Sequence, residues 1–262
     1  MHMKIITWNI NSVRLRQGLV LRLLEEETPD VLCLQETKCP DEAFPASVFD
    51  KAGYPHQAIR GEKGYNGVAI LSRRPFQGHR HLDWVGRGDC RHQAVTLDGG
   101  IHLHNFYIPA GGDVPDREAN LKFDHKLRFL DEMMTWSKTA SDTSSILVGD
   151  LNIAPREDDV WSHKQLLKII SHTPVETEAL AAVMAMGGWH DAVRKAIPEG
   201  KLYSWWSYRA RDWDAADKGR RLDHIWVTSK LGHSVKAARV LREARGWEQP
   251  SDHAPVIAEI MT

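Results

Sequence analysis

The 262-residue chain is 26% charged and 42% hydrophobic, with a formal net charge of −1. That is ordinary globular composition, with enough chain for a sizeable core and no apolar run approaching the length of a membrane span. An overall basic field is absent, so any nucleic-acid binding must use local patches.

In chain order, β-branched residues 4–8 predict the first strand. Residues 13–27 follow as a helix, because Leu15, Leu19, Leu23 and Leu24 recur at helical spacing and Pro29 ends the run. Residues 31–34 are continuously apolar, the pattern of a strand buried on both faces. Cys33 lies inside that run as a small core residue. Cys33, Cys39 and Cys90 include no C-x-x-C pair, which argues for a reduced, cytoplasmic protein without a disulfide framework or structural zinc. The N-terminus carries no signal-peptide apolar stretch. Strands are expected at 67–71, 94–97 and 101–108, and the longest helix at 117–138. A buried strand at 146–148 precedes a helix at 176–186, which Gly187-Gly188 closes. Strands at 222–227, 235–241 and 256–260 complete the set. The long loops at 73–88, 154–173 and 203–219 are candidates for functional segments. With no linker or repeat, the pattern predicts one α/β domain over residues 1–262, with two mixed sheets stacked face to face and helices outside.

The acids and amides fall where those strands end. Asn9 follows Trp8, Gln35-Glu36-Thr37 follows Leu34, and Asp150-Leu151-Asn152 follows Gly149. Asp223 opens a strand, and Ser251-Asp252-His253 precedes the last one. A carboxylate beside a buried strand is costly unless it is paired or holds a metal. Singly, each has an ordinary explanation as a cap, turn residue or solvated acid, and His253 alone reads as a structural histidine. Five such sites in one domain can converge on one rim. Asn9, Glu36, Asp150, Asn152 and Asp252 offer hard oxygen ligands suited to Mg²⁺ or Mn²⁺, with His253 as a further candidate ligand. A carboxylate-held imidazolium could face a phosphate. With no phosphate-binding glycine loop, nucleophile elbow or H-E-x-x-H helix, the inventory supports metal-aided attack of water on a phosphodiester.

Trp8-Asn9-Ile10-Asn11, Leu34-Gln35-Glu36-Thr37-Lys38, Gly149-Asp150-Leu151-Asn152-Ile153-Ala154-Pro155, Arg221-Leu222-Asp223 and Ser251-Asp252-His253-Ala254-Pro255-Val256 occur in this order along the whole chain. Together they resemble the exonuclease III / apurinic-apyrimidinic endonuclease family. The resemblance implies a four-layered α/β sandwich of the deoxyribonuclease I kind. It implies that Glu36 binds metal, assisted by Asn9 and Asp252. It further implies that Asp150 orients or deprotonates the attacking water, Asn152 and Tyr107 contact the scissile phosphate, and Asp223 supports His253. The implied activity is that of a monomeric DNA-repair nuclease, removing nucleotides or blocking groups from 3′ ends of double-stranded DNA and incising at abasic sites.

Related phosphatases of inositol lipids and sphingomyelin hydrolases share the central motifs, so the choice of DNA rests on peripheral stretches. Gly61 to Ala69 resembles a DNA-contacting loop, with Lys63 for phosphate, glycines for close backbone approach and Tyr65 as a further candidate contact. The segment with Trp205 and Trp206 resembles an aromatic insertion beside the nucleotide, with Trp205 as the ring facing DNA. Arg221 is a further candidate DNA contact. A non-catalytic DNA-binding relative would lack catalytic positions, and this chain retains them all. Two departures stand out. Ala110 follows Pro109 where many members carry a polar residue, which would weaken one phosphate contact. His163, in Trp161-Ser162-His163-Lys164, reads equally as a solvated loop residue or as bulk that disfavours an internal abasic site over a 3′ terminus.

Overall fold

The computed structural model describes residues 2–261, and the expected stacked sheets are its centre. The first sheet has strand order β13 (Val235–Val240), β14 (Val256–Met261), β1 (His2–Asn9), β2 (Val31–Gln35), β4 (Val68–Ser72) and β3 (His56–Arg60). The second runs β5 (Gln77–Arg80), β6 (His92–Leu97), β7 (Ile101–Tyr107), β8 (Ser145–Asp150), β12 (Asp223–Thr228) and β9 (Trp189–Asp191). A two-residue ribbon, β10 (Trp205–Trp206) with β11 (Gly219–Arg220), lies beside them. The helices are α1 (Gln17–Glu27), α2 (Ala46–Lys51), α3 (Leu121–Ser137), α4 (His163–Leu166), α5 (Pro174–Gly187), α6 (Ala192–Ala196) and α7 (Trp213–Ala216).

Strand alternation sorts the apolar side chains into layers. Along β1, Ile5 faces the space between the sheets, where it packs with Val31, Cys33, Ile70, Leu103, Val148 and Ile225. Ile6 and Trp8 face outward, onto a layer that contains Val20, Leu23 and Leu24 of α1 and Phe49 of α2. On the other side, Phe106, Leu147 and Trp226 pack with Phe123, Phe129 and Leu130 of α3 and Leu180 and Val183 of α5. Four layers result, each buried Leu or Ile contributing about 1.5–3 kcal/mol.

Two helices start later than their spacing predicts. Residues 13–16 form a turn because Asn11 and Ser12 adopt positive φ, which sets the first helical residue at Gln17. Residues 117–119 are held in a turn by Asp116, whose carboxylate accepts from the Glu118 and Ala119 amides, and Asn120 then caps α3. The three long loops contain β5, α4, and β10 with α7. These pieces are too short, too polar or too aromatic to carry a periodic signal.

Two features fix the upper end of the sandwich, one between the sheets and one within the second. Asn105 of β7 donates to the Leu34 and Ala69 carbonyls of the opposite sheet, at 3.0 Å each, and accepts from Gln35 at 2.7 Å. Gly149, at φ 141°, lets β8 press against β7: a Cβ there would meet the Phe106 carbonyl oxygen at 1.9 Å.

The second sheet also buries a stacked histidine pair. His92 and His104 approach within 3.1 Å through Nε2 and Nδ1, and the Leu82 amide donates to His92 Nδ1. Burial, then the neighbouring cationic groups, pushes both below the ordinary histidine range, His104 to about 3. Both are neutral in the fold, whereas the unfolded chain takes up protons near pH ~6.5. Their stabilisation is complete above that pH and is lost as pH falls towards the folded values. The thermal midpoint should therefore fall below about pH 6 in a series of melting curves. A midpoint that rises on acidification would contradict neutral burial of the pair.

Candidate active site

Strand register assembles the site. Tyr107 ends β7 opposite Asp150 at the end of β8, and Asp150 lies opposite Asp223 at the start of antiparallel β12. Across the sandwich, Asn9 ends β1 beside Gln35 at the end of β2, which delivers Glu36 to the same rim. His253 reaches the rim in the turn before β14. Trp8 Nε1 donates to its carbonyl at 2.9 Å, and its backbone bridges to Trp205.

The side chains form one connected network. Glu36 Oε1 accepts from Tyr107 Oη at 2.7 Å and from Asn9 Nδ2 at 2.9 Å. Asn9 Nδ2 also donates to Asp150 Oδ2 at 2.8 Å. Asn152, held at φ 52°, donates its backbone N–H to Asp150 Oδ1 and its Nδ2 to the Ile108 carbonyl. That leaves the Asn152 Oδ1 without a hydrogen bond in the network. His253 places Nδ1 2.8 Å from Asp223 Oδ2 and Nε2 3.7 Å from Asp150 Oδ2.

These contacts set the charges. Burial opposes the His253 imidazolium, but Asp223 and then Asp150 outweigh it and push its pKa up to about 10. Burial raises the Asp150 carboxyl; His253 pulls it back and Asp223 pushes it up again, leaving it at about 7. Burial also works against ionised Glu36, yet Lys38, Asn9 and Tyr107 together hold its pKa below the ordinary value. Burial and the Glu36 and Asp150 charges push Tyr107 far above the ordinary range, so its hydroxyl stays a donor. A base near neutrality, a fixed imidazolium and an ionised oxygen ligand thus share one rim, the equipment for adding water to a charged ester.

A sequence profile described as the endonuclease/exonuclease/phosphatase family matches residues 6–253. The chain belongs to the endonuclease/exonuclease/phosphatase family. It is 32% identical to an exodeoxyribonuclease III of Haemophilus influenzae, over 98% of this chain and 99% of that protein. Among solved structures, a 3′ phosphatase from Neisseria bound to a product DNA hairpin superposes with a TM-score of 0.92 at 33% identity, covering 99% of this chain and all of that one. An AP endonuclease from Archaeoglobus fulgidus gives a TM-score of 0.93 at 30% identity, with 99% and 100% covered. Within the family the chain groups with the exonuclease III and AP endonuclease branch, and it is a metal-dependent hydrolase with the expected four-layered sandwich.

Placed on this family member, the expected residues divide. Glu36, Tyr107, Asp150, Asn152, Asp223 and His253 converge, and Asn9 joins them. Asn9 faces the two carboxylates as a hydrogen-bond donor, with its Oδ1 accepting from the Asn11 amide, so it organises the acids. Asp252 is set to one side, its two oxygens accepting from Asn11 Nδ2 and Trp205 Nε1. The candidate ligand atoms of Asp150, Asp223 and His253 lie within 4.8 Å of one another, a spacing a cation could use. His253, flanked by Asp223 and Asp150, has its pKa pushed up to about 10, and in its protonated form the imidazole has no lone pair to offer a metal.

The expectation of Arg221 as a DNA contact is corrected. The side chain is buried, with Nε and Nη2 on Asp159 and Nη1 on Asp191, so it braces the fold and presents nothing to DNA. Lys63 and Tyr65 are exposed, while Trp206 is buried and Trp205 half-buried. Gly61 and Gly67 serve a different purpose from DNA approach: a Cβ at either would strike Cys39 or Thr37, so they seat this loop on the segment after Glu36. His163 begins α4 with Nδ1 2.8 Å from His172 Nε2.

Sequence reasoning passed over three supports. Ser204 donates to Asp223 Oδ2 at 2.6 Å and accepts from the Leu222 and Asp223 amides. Lys38 places Nζ 2.8 Å from Glu36 Oε2 and donates to Asn11 Oδ1. Arg91 lies over the Tyr107 ring, 4.8 Å from its centroid. Lys38 stood in a quoted motif and Ser204 beside the tryptophans; only their three-dimensional partners reveal the roles.

If Asp223 and His253 act as a unit, Asp223→Asn and His253→Asn should each lower kcat by roughly 10²- to 10⁴-fold. The double variant should lose little more than either alone. Multiplying losses in steady-state assays would show that the two residues work separately.

Proposed function

We propose that this enzyme is an Mg²⁺- or Mn²⁺-dependent DNA-repair nuclease acting on double-stranded DNA. It removes 5′-phosphomononucleotides and blocking groups, including phosphate, from 3′ ends, and it incises at abasic sites from the same centre. One observation carries the reading: Asp150 and the Asp223-held His253 face each other 3.7 Å apart, beside the Glu36–Tyr107 pair. The relatives named for 3′ phosphatase, exodeoxyribonuclease and AP endonuclease activity support it.

Glu36, with Asp150 and the Oδ1 of Asn152 nearby, offers the hard oxygen set that a magnesium-type cation prefers. Asp223 Oδ1 is buried with no hydrogen-bond partner, which leaves the cluster a carboxylate oxygen with negative charge to spare. A bound cation would supply Lewis-acid stabilisation of the phosphate charge. Asp150 accepts the proton of the attacking water. His253 holds charge against a phosphoryl oxygen through Nε2, Asp223 keeps that nitrogen aimed, and the Tyr107 hydroxyl fixes Glu36.

Exposed Lys63 and Tyr65, with half-buried Trp205 beside Asp252, favour a DNA strand over a lipid phosphoester. Catalytic positions run from Asn9 to His253 of one chain, which supports a single domain over residues 1–262 acting as a monomer. Three buried free cysteines fit a reducing compartment such as the cytoplasm.

Glu36→Ala should abolish cleavage of a 3′-recessed duplex while leaving fold and DNA affinity largely intact. EDTA should silence the wild type, and Mg²⁺ or Mn²⁺ should restore it. Product analysis should find 5′-mononucleotides, and full activity in chelator would end the metal reading.

His163 bears on substrate choice, because its ring is tethered to His172 in the loop following the Asp150–Asn152 turn. His163→Gly should raise abasic-site cleavage relative to 3′-end removal on matched duplexes at fixed salt. An unchanged ratio would make it a loop residue only.

A further inference from the structure

Arg220, immediately before the buried Arg221, is built differently from its neighbour. It pairs with Trp205 across the β10–β11 ribbon, and its guanidinium lies over the indole, 5.2 Å from the ring centroid. Nη1 is pinned by the Ile170 carbonyl at 3.0 Å and the Ser171 hydroxyl at 2.8 Å. Nε is buried with no hydrogen-bond partner, whereas Nη2 makes no hydrogen bond among the described residues and is not enclosed.

The charge has no carboxylate against it. Arg221 meets Asp159 and Asp191, and Arg194 meets Asp159, but no ion pair engages Arg220 among the described residues. Glu176 is the acid that Arg220 feels, yet its oxygens are taken by Lys126, Ser171 and Thr173. A half-buried cation fixed in place with an open N–H edge is costly until an anion meets it. Guanidinium edges suit phosphate oxygens.

Position supplies the rest. Trp205 donates Nε1 to Asp252 at 2.9 Å and its backbone bridges to His253. Asp223 follows Arg220 by three residues. The Arg220–Trp205 face therefore flanks the centre that cleaves.

We propose that Arg220 forms a phosphate subsite beside the cleavage centre, taking a non-scissile phosphate oxygen of the bound strand on Nη2, with the Trp205 ring as its floor. The subsite rests on the nuclease reading above. It gives the bound strand a fixed register relative to Asp150, because the cation cannot swing away from Ile170, Ser171 and Trp205.

The test is a charge-deletion cycle. Duplexes carrying one neutral methylphosphonate at each phosphate flanking the cleaved bond are compared between wild type and Arg220→Gln, at fixed salt and Mg²⁺. At one position the neutral linkage should cost the wild type roughly 10-fold in kcat/KM, and Arg220→Gln no more than about 2-fold. Arg220→Lys, which keeps the charge, should regain part of the sensitivity at that position. The slope of log Kd against log salt should drop by about one for Arg220→Gln on the unmodified duplex. Melting curves verify that the variants fold. Losses that multiply at every position would overturn the subsite while leaving the nuclease reading intact. A wild type inert on the unmodified duplex would instead overturn that reading.

Discussion

The arrangement depends on holding three carboxylates, Glu36, Asp150 and Asp223, together where water is largely excluded. Like charges at such spacing repel, and burial makes each charge more costly. The chain answers with a ladder of donors rather than a single counter-ion. Asn9 spans two of the acids with one amide nitrogen, Tyr107 and Lys38 occupy Glu36, and Ser204 and His253 occupy Asp223. Burial and the neighbouring acids leave the Asp150 carboxyl raised to about 7, whereas Lys38, Asn9 and Tyr107 hold Glu36 below its ordinary value. That inequality separates a proton acceptor from the ionised Glu36.

The scaffold makes the ladder possible because its geometry is fixed from below. Parallel pairs β1–β2 and β7–β8 end on the same rim, and antiparallel β12 and β14 begin there. Asn105 bonds to the opposite sheet two residues before Tyr107, and Gln35 donates to Asn105 one residue before Glu36. The polar bolt lies one step beneath the chemistry. A slip of either sheet would leave buried carbonyls unsatisfied, so the Tyr107–Glu36 contact inherits the rigidity of the core.

How far the sequence could be read follows from what each signal needs. Acids at the ends of apolar strands are visible in one dimension, because strand direction and hydrophobic period are local. Glu36, Asp150, Asp223 and His253 were legible for that reason, as were the long helices and most strands. Arg221 was misread because its role depends on Asp159 and Asp191, which sequence spacing does not place beside it. Short elements such as Gln77–Arg80 and Trp205–Trp206 take their form from neighbouring strands rather than their own periodicity. The donors that balance the acids, Ser204 and Lys38, are individually unremarkable side chains whose meaning lies in distance alone.

Those same distances connect the rim loops to the catalytic turn. Lys126, wholly buried, donates to the carbonyls of Ala110 and Asn152 and pairs with Glu176. Glu176 in turn caps α5 through Thr173 and accepts from the Ser171 amide, while His172 bonds the Ala154 carbonyl. Arg220 closes the circuit from Ser171 to Trp205. Arg220 and Trp205 are therefore braced to the backbone that carries Asn152 through a short chain of hydrogen bonds. In such a frame, a substitution at the loop surface leaves the spacing of the carboxylate ladder beneath intact, because the ladder's own bonds run through Asn9, Tyr107, Ser204 and Lys38.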